Sequence, residues 1–376
     1  VIRRELYTRP GDFFSRANIV RSIRQLSVLN YFNPEKIKPD YNILQDGKSV
    51  DLTYEVEEKS SDNINASVGY SGVFGVTGAV GFTLNNFSIS QPLSGGAGQI
   101  LNFEWQFGGS ANYRTFTIGF TEPWLFDTPT TLGVSVFDTR YSLSQSYTSA
   151  RTGGTMRVGR RLKWPDDYFR ADWILNGQRV EEQYDAFGVG LSKFSQVSLT
   201  QVFSRNSIDN PIFPTYGSNF SLSIQMSGGP LLPGSVNYHK WNLQSEWYVP
   251  LFNSNRVALY LSSESGYIGE LGSGGGIPFN DRFYMGGVLL GGYLPTTALR
   301  GYEDQSIGPR NATNSVAGGR AMTKHTAELR IALAINPIPI YILGFVEGGN
   351  VWESWSKADF TGLKRSAGFG ARLQVQ

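Results

Sequence analysis

The chain has no cysteine and only 2 histidines in 376 residues. Without thiols there are no disulfides and no thiolate metal sites, and two histidines make no His/Cys cluster. No metal site and no cofactor is therefore expected. Excess charge is also missing. Lys+Arg number 33 against 31 Asp+Glu, a formal net charge of +2, which gives no reason to expect nucleic acid as a partner. No run of about 18 apolar residues exists to cross a bilayer as a helix. The nearest candidate, Ile331 to Val346, is interrupted by Asn336, Pro337 and Pro339 and reads better as a turn between two strands. The chain opens on Val1 without a signal peptide and is read as a mature or truncated piece.

Glycine and aromatics are abundant: 44 Gly, and 14% Phe, Trp and Tyr. The mean hydropathy of −0.23 suggests a soluble protein. That inference fails for a barrel strand, whose polar lumen face dilutes its apolar lipid face.

Two regions differ in period. Residues 1 to about 57 read as α+β. Arg16 to Leu29 carries Ile19, Val20, Ile23, Leu26 and Val28 at roughly helical spacing, stopped by Asn30 to Pro34. Lys36 to Leu44 and Ser49 to Glu57 read as two strands joined by a turn containing Asp46-Gly47. From Asn63 onward, alternation with period two dominates. Leu101, Phe103, Trp105 and Phe107 alternate with Asn102, Glu104, Gln106 and Gly108, and Phe220, Leu222, Ile224 and Met226 with Ser221, Ser223, Gln225 and Ser227. Further strands are expected to start near Asn63, Val76, Arg114, Leu132, Thr155, Phe169, Phe194, Lys240, Val257, His325, Ile340 and Ser366, about 14 in all. Each is near the length that crosses a bilayer when tilted.

A soluble β-sandwich or propeller would also alternate. Two features favour a membrane barrel. Every second connection carries proline (Pro92; Pro123 and Pro129; Pro165; Pro211 and Pro214; Pro250; Pro337 and Pro339), and most intervening ones do not. Short turns on one side and longer loops on the other are a barrel's signature, and the fixed period of a propeller is missing. Trp124, Trp164, Trp247, Tyr248 and Trp352 sit near strand ends, as interfacial girdles do. The connection from about 272 to 323 is far longer than the rest, and a loop of that length in a compact domain is functional or disordered. Phe279, Phe283, Tyr284, Leu289, Leu290, Tyr293 and Leu294 suggest that it folds back into the lumen.

Four motifs, in order, carry a family resemblance. Phe120-Thr121-Glu122-Pro123-Trp124 resembles F-T-x-P-[YW]. Residues Asp209 to Gly217 resemble D-N-P-x-F-P-T-x-G, and Arg282 to Gly287 resembles R-F-Y-x-G-G. Leu299-Arg300-Gly301-Tyr302 resembles the [VL]-R-G-[FY] signature of the sixth outer loop. Together these resemble the BamA family of outer-membrane protein assembly factors, within the superfamily that includes TamA and the two-partner-secretion transporters. The resemblance covers essentially the whole chain. It implies a mostly β fold: a transmembrane antiparallel β-barrel at 61–376, preceded by an α+β POTRA module at 1–60. It also implies the outer membrane of a Gram-negative bacterium, with the POTRA module in the periplasm. The family barrel has 16 strands, so the last two are read as absent here, as is the first strand of the module. The chain also ends on Gln374-Val375-Gln376, without the family's terminal aromatic.

The resemblance further implies an insertase that folds client barrels through a lateral gate, with no enzymatic chemistry. A two-partner-type polypeptide secretion pore is the alternative. A passive porin or adhesin explains neither the loop motif nor the N-terminal module. The implied partners are unfolded outer-membrane proteins, accessory proteins of the assembly machinery and outer-membrane lipids. In the loop motif, Leu299, Arg300, Gly301 and Tyr302 are expected to anchor the loop inside the barrel. An arginine in a lumen needs a carboxylate. Strand parity offers Glu328, which opposes Ala327, Leu329 and Ile331. The family pattern offers Glu347, and the two are not separable. Gly301 would permit a backbone conformation or close approach denied to other residues, and Tyr302 is expected in the lumen. The first barrel strand (Asn63, Ile64, Asn65, Ala66, Ser67, Val68, Gly69, Tyr70) is the implied gate, with Gly69, Gly72, Gly75 and Gly78 weakening local order unless they merely relieve crowding. The strand Asp51 to Glu57 would offer an edge to clients. No catalytic constellation is expected: His239 and His325 both fall in strand-like segments, and Gly272 to Gly276 lacks a phosphate-loop ending.

Overall fold

A computed structural model of the chain describes residues 2–28, 32–33, 36–45, 47–57, 62–71, 75–92, 96–108, 113–144, 147–184, 191–210, 213–252, 254, 256–272, 276–287, 296–311, 316–335 and 339–373. Several expectations lie outside these residues: most of the helix stop at 30–34, Asp46, Gly72, Pro211, Pro337, Leu289, Leu290, Tyr293, Leu294 and the end 374–376.

Near the N-terminus, α1 (Ile2–Glu5) and α2 (Arg16–Val28) precede β1 (Lys38–Ile43) and β2 (Val50–Glu55). The Ser15 hydroxyl accepts the Asn18 N–H at 3.4 Å at the start of α2, as an N-cap does. Ile19, Ile23 and Leu26 share one helical face. Leu26, Phe32 and Ile37 form a small core, with Ile23 and Tyr54 against it. On β2 the half-buried Val50, Leu52 and Tyr54 alternate with exposed Asp51, Thr53 and Glu55.

The rest is one sheet of 14 strands: β3 (Asn63–Ser71), β4 (Gly75–Phe87), β5 (Gln99–Gly108), β6 (Arg114–Glu122), β7 (Thr130–Ser144), β8 (Tyr147–Arg161), β9 (Phe169–Tyr184), β10 (Leu191–Asn206), β11 (Gly217–Ser227), β12 (Tyr238–Pro250), β13 (Val257–Glu270), β16 (Ala321–Ala334), β17 (Ile340–Trp352) and β18 (Lys364–Leu373). Each pairs antiparallel with the next, and β13 pairs with β16 across the long connection. That connection holds two short strands, β14 (Tyr284–Met285) and β15 (Thr296–Thr297), paired in parallel. Isolated two-residue strands leave no periodic signal. β3 and β18 are the edges of the sheet, and among the described residues no ladder joins them.

Parity separates the faces. Every one of the 14 strands shows at least one exposed large apolar side chain, among them Phe116 and Ile118 on β6, Val134 and Val136 on β7, Leu243 on β12 and Phe369 on β18. In water such a continuous apolar surface would be an aggregation liability; in a bilayer it is the lipid face. Among the described residues no helix is long and apolar enough to cross a membrane.

The N-terminal module sits on the end carrying the proline turns. Arg4 donates to the Ala97 carbonyl at 3.2 Å, Trp124 donates to Glu5, Arg21 pairs with Asp167 at 2.9 Å, and Arg24 donates to the Ile208 carbonyl. These partners lie in four turns of one rim, between β4 and β5, β6 and β7, β8 and β9, and β10 and β11. The connection between β13 and β16 therefore starts from the opposite rim.

Candidate functional site

The long connection crosses the lumen and is bound to the wall on both sides. It is stitched internally first. Phe283 and Gly319 exchange N–H and carbonyl at 2.9 Å in both directions, and the Ile307 N–H donates to the Met285 carbonyl at 3.0 Å. Its apolar side chains Ile277, Phe283, Met285, Leu299 and Ile307 then form one buried cluster with wall residues Tyr238, Ile268, Met322 and Val351. Such a cluster fills the barrel with a packed core.

Two wall glycines make room for it. An added Cβ on Gly266 of β13 would stand 2.5 Å from the Phe283 ring, and one on Gly349 of β17 would stand 2.8 Å from Met285 Sδ. The connection thus seats two large side chains in notches of the wall. Sequence reasoning missed this, because glycine in a strand signals only a bulge or a close approach, without saying to what.

The loop motif sits where β16 and β17 meet. Leu299 is fully buried. Arg300 Nη2 lies 2.7 Å from Glu328 Oε1 and 2.6 Å from Glu347 Oε1. Its backbone N–H donates to Glu347 Oε2 at 3.0 Å, and its guanidinium carbon lies 3.5 Å from the centre of the Phe345 ring. The structure thus brings both candidate carboxylates to one arginine, which is held by charge, hydrogen bonds and an aromatic face. Neither carboxylate depends on Arg300 alone. Glu328 also meets Arg330 at 2.7 Å and Arg372 at 3.5 Å, and Glu347 meets Lys324 at 3.4 Å. Gly301 has φ +84°, a left-handed conformation that disfavours side chains. Tyr302 is only half-buried, and its hydroxyl donates to the Arg365 carbonyl of β18 at 2.9 Å.

A second attachment lies across the barrel. Asn280 accepts from the Tyr141 hydroxyl of β7 at 2.8 Å and donates to Glu182 of β9. Lys240 of β12 donates to the Asp281 carbonyl at 2.7 Å. No motif marked these residues. Asn280 lies between the apolar Phe279 and the motif that begins at Arg282 without belonging to either, and its partners are more than 90 residues away in sequence.

At the other candidate site, β3 pairs among the described residues with β4 alone, and Asn63 to Gly69 are all exposed. The glycines beyond it differ in role. Gly75 has φ +67°, whereas an added Cβ on Gly78 would stand 2.6 Å from the Phe107 ring, so Gly78 relieves crowding. In the N-terminal module β2 pairs, among the described residues, only with β1. Among the described residues no group of three or more His, Asp and Glu could hold a metal.

Comparison with known proteins locates this architecture. The Omp85 superfamily domain matches residues 94–376, and a POTRA domain described as a surface antigen variable number repeat matches residues 1–59. Similar curated proteins include the outer membrane protein assembly factors BamA of Nitratidesulfovibrio vulgaris and of Neisseria meningitidis serogroup B. The first is 25% identical, over 99% of this chain and 44% of that protein. The second is 23% identical, over 100% of this chain and 47% of that protein. The chain thus spans less than half the length of these relatives. BamA from Haemophilus ducreyi lacking POTRA domains 1-3 shares the fold, with a TM-score of 0.67 at 20% identity, over 100% of this chain and 75% of that one. CdiB from Acinetobacter baumannii shares it too, with a TM-score of 0.59 at 15% identity, over 99% and 64%. The barrel lies in the outer membrane, with the N-terminal module on its periplasmic side.

Proposed function

Since the chain belongs to the Omp85 superfamily, we propose that it is the barrel portion of an insertase that folds client β-barrels into the outer membrane. The observation that carries this reading is the seam. One side of it is β3, which among the described residues is paired on one side only. An unpaired edge presents a row of N–H and carbonyl groups, a template on which an incoming strand can grow. The client's own folding free energy drives the step, so no enzymatic chemistry is needed. The anchored connection braces the wall beside β18 while the seam opens. Unfolded outer-membrane proteins, accessory subunits and the surrounding lipid are the partners of this function.

The alternative is a pore that exports one polypeptide through the lumen. The packed cluster around Leu299 and Met285 weighs against it, because export would require that core to be pulled out of the barrel. Depletion of the full-length protein in cells, followed by a survey of outer-membrane barrels, separates the two. Loss of many unrelated barrels is the expected result. Loss of one exported polypeptide, with all barrels at normal levels, would overturn the proposal in favour of the pore.

A further inference from the structure

On the lipid side of the wall, across β12, β13 and β16 to β18, there is a hollow of about 770 Å³, within the size range of small-molecule sites. Two rows of cross-strand neighbours form its floor. The row nearer the outer rim runs Ser263, His325, Gly348, Arg365, and the row nearer the membrane centre runs Leu261, Ala327, Val346, Ala367. Short side chains give the hollow its depth, and Trp247 and Leu363 rise beside it. The outer row carries the nitrogen groups and the inner row is wholly apolar. That is the polarity of an amphiphile with its head toward the cell surface.

Arg365 supplies the charge. Its guanidinium makes one 3.5 Å contact, to the Thr361 carbonyl, and has no carboxylate partner among the described residues. A cation at a membrane interface is stabilised by lipid anions. We propose that this hollow binds a single anionic, phosphate-bearing lipid of the outer leaflet, an acyl chain along the row Leu261, Ala327, Val346, Ala367 and a phosphate against Arg365.

The inner side of the same wall gives the site a consequence. Glu347 and Ser366 are paired neighbours on β17 and β18. Glu347 holds Arg300, and a Cβ on Gly301 would stand 3.6 Å from Ser366 Cβ. A lipid in the hollow braces, from outside, the two strands that hold the loop motif from inside. This holds whether the barrel inserts clients or exports a polypeptide.

The test uses the full chain in nanodiscs of equal phosphatidylglycerol and phosphatidylcholine, with retained lipids counted by native mass spectrometry. Two variants accompany it. Arg365→Gln removes an exposed charge. Gly348→Leu fills the hollow: its added Cβ meets Leu363 at 3.7 Å, an ordinary contact. Heat-modifiable gel migration checks that each barrel is folded. The wild type is expected to retain one phosphatidylglycerol, preferred roughly fivefold over phosphatidylcholine, as one interfacial cation provides. Arg365→Gln should lose the preference, and Gly348→Leu should lose the lipid. Unchanged preference in Arg365→Gln, or wild-type retention in a folded Gly348→Leu barrel, would mean ordinary annular lipid and overturn the proposal.

Discussion

Arg300 engages Glu347 twice: the side-chain Nη2 meets Oε1 at 2.6 Å, and the backbone N–H meets Oε2 at 3.0 Å. One carboxylate therefore fixes both the charge and the chain direction of the loop motif. The backbone contact survives truncation of the arginine side chain, whereas the bridge to Glu328 does not.

Arg300→Ala should therefore loosen the connection without ejecting it. Arg330 and Lys324 continue to neutralise the two carboxylates. The cost should be roughly 2 kcal/mol, below that of stranding a buried charge. Limited proteolysis should show faster cleavage within 296–311 while the barrel still migrates as folded, and assembly of other barrels should fall. Glu347→Gln should be more disruptive to the loop, because it weakens both contacts. Equal protease resistance in all three proteins would contradict the anchor.

Gly266→Ala should strain the seat of Phe283. Its Cβ would fall 2.5 Å from that ring, and overpacking of this kind costs about 1–3 kcal/mol. Combining it with Phe283→Ala should cost less than the sum of the two single changes. A double-mutant cycle on barrel melting measures this, and strict additivity would show that ring and glycine do not meet.

Leu243→Arg places a cation in the middle of β12 on the exposed apolar face. In a bilayer this should cost about 2–4 kcal/mol. In water the same change would be nearly neutral. Folding yield into phospholipid vesicles, compared with Leu243→Ala, distinguishes the two. An unaffected yield would count against the lipid-facing assignment.

Asp209 organises the turn between β10 and β11. Its carboxylate accepts from the Thr215 hydroxyl at 2.6 Å and from the N–H groups of Thr215 and Tyr216 at 2.9 and 3.1 Å. Burial by itself would raise its pKa, but these bonds together with one from Asn210 hold it below the ordinary 3.8. A depressed folded value stabilises above the unfolded pKa and is lost as pH falls through the folded one. The turn should therefore resist proteolysis unchanged from neutral pH down to about pH 4, and loosen as the pH falls from there through its folded pKa. Asp209→Ala should loosen it at every pH, by about 1–2 kcal/mol.

Much of the fold was legible in the residues. Period-two alternation marked all 14 strands of the sheet, because a strand's two faces meet different solvents. The proline turns marked one rim, which the N-terminal module covers. The spacing of Ile19, Ile23 and Leu26 marked α2. The parity of Glu328 against Leu329 assigned its inward direction. The motif at Leu299 to Tyr302 singled out Arg300, but nothing in the sequence chose between Glu328 and Glu347.

The tertiary structure decided the rest. It placed both carboxylates on Arg300, set Asn280 between Tyr141 and Glu182, notched the wall at Gly266 and Gly349, left β3 paired on one side among the described residues, and sank a hollow before Arg365. Alternation is a local property: two adjacent residues reveal which face each takes. What stands across a lumen, or beside a strand two places along the sheet, depends on curvature and register accumulated over many strands. That information is carried by no short stretch of the chain and exists only once the sheet has curled around its loop.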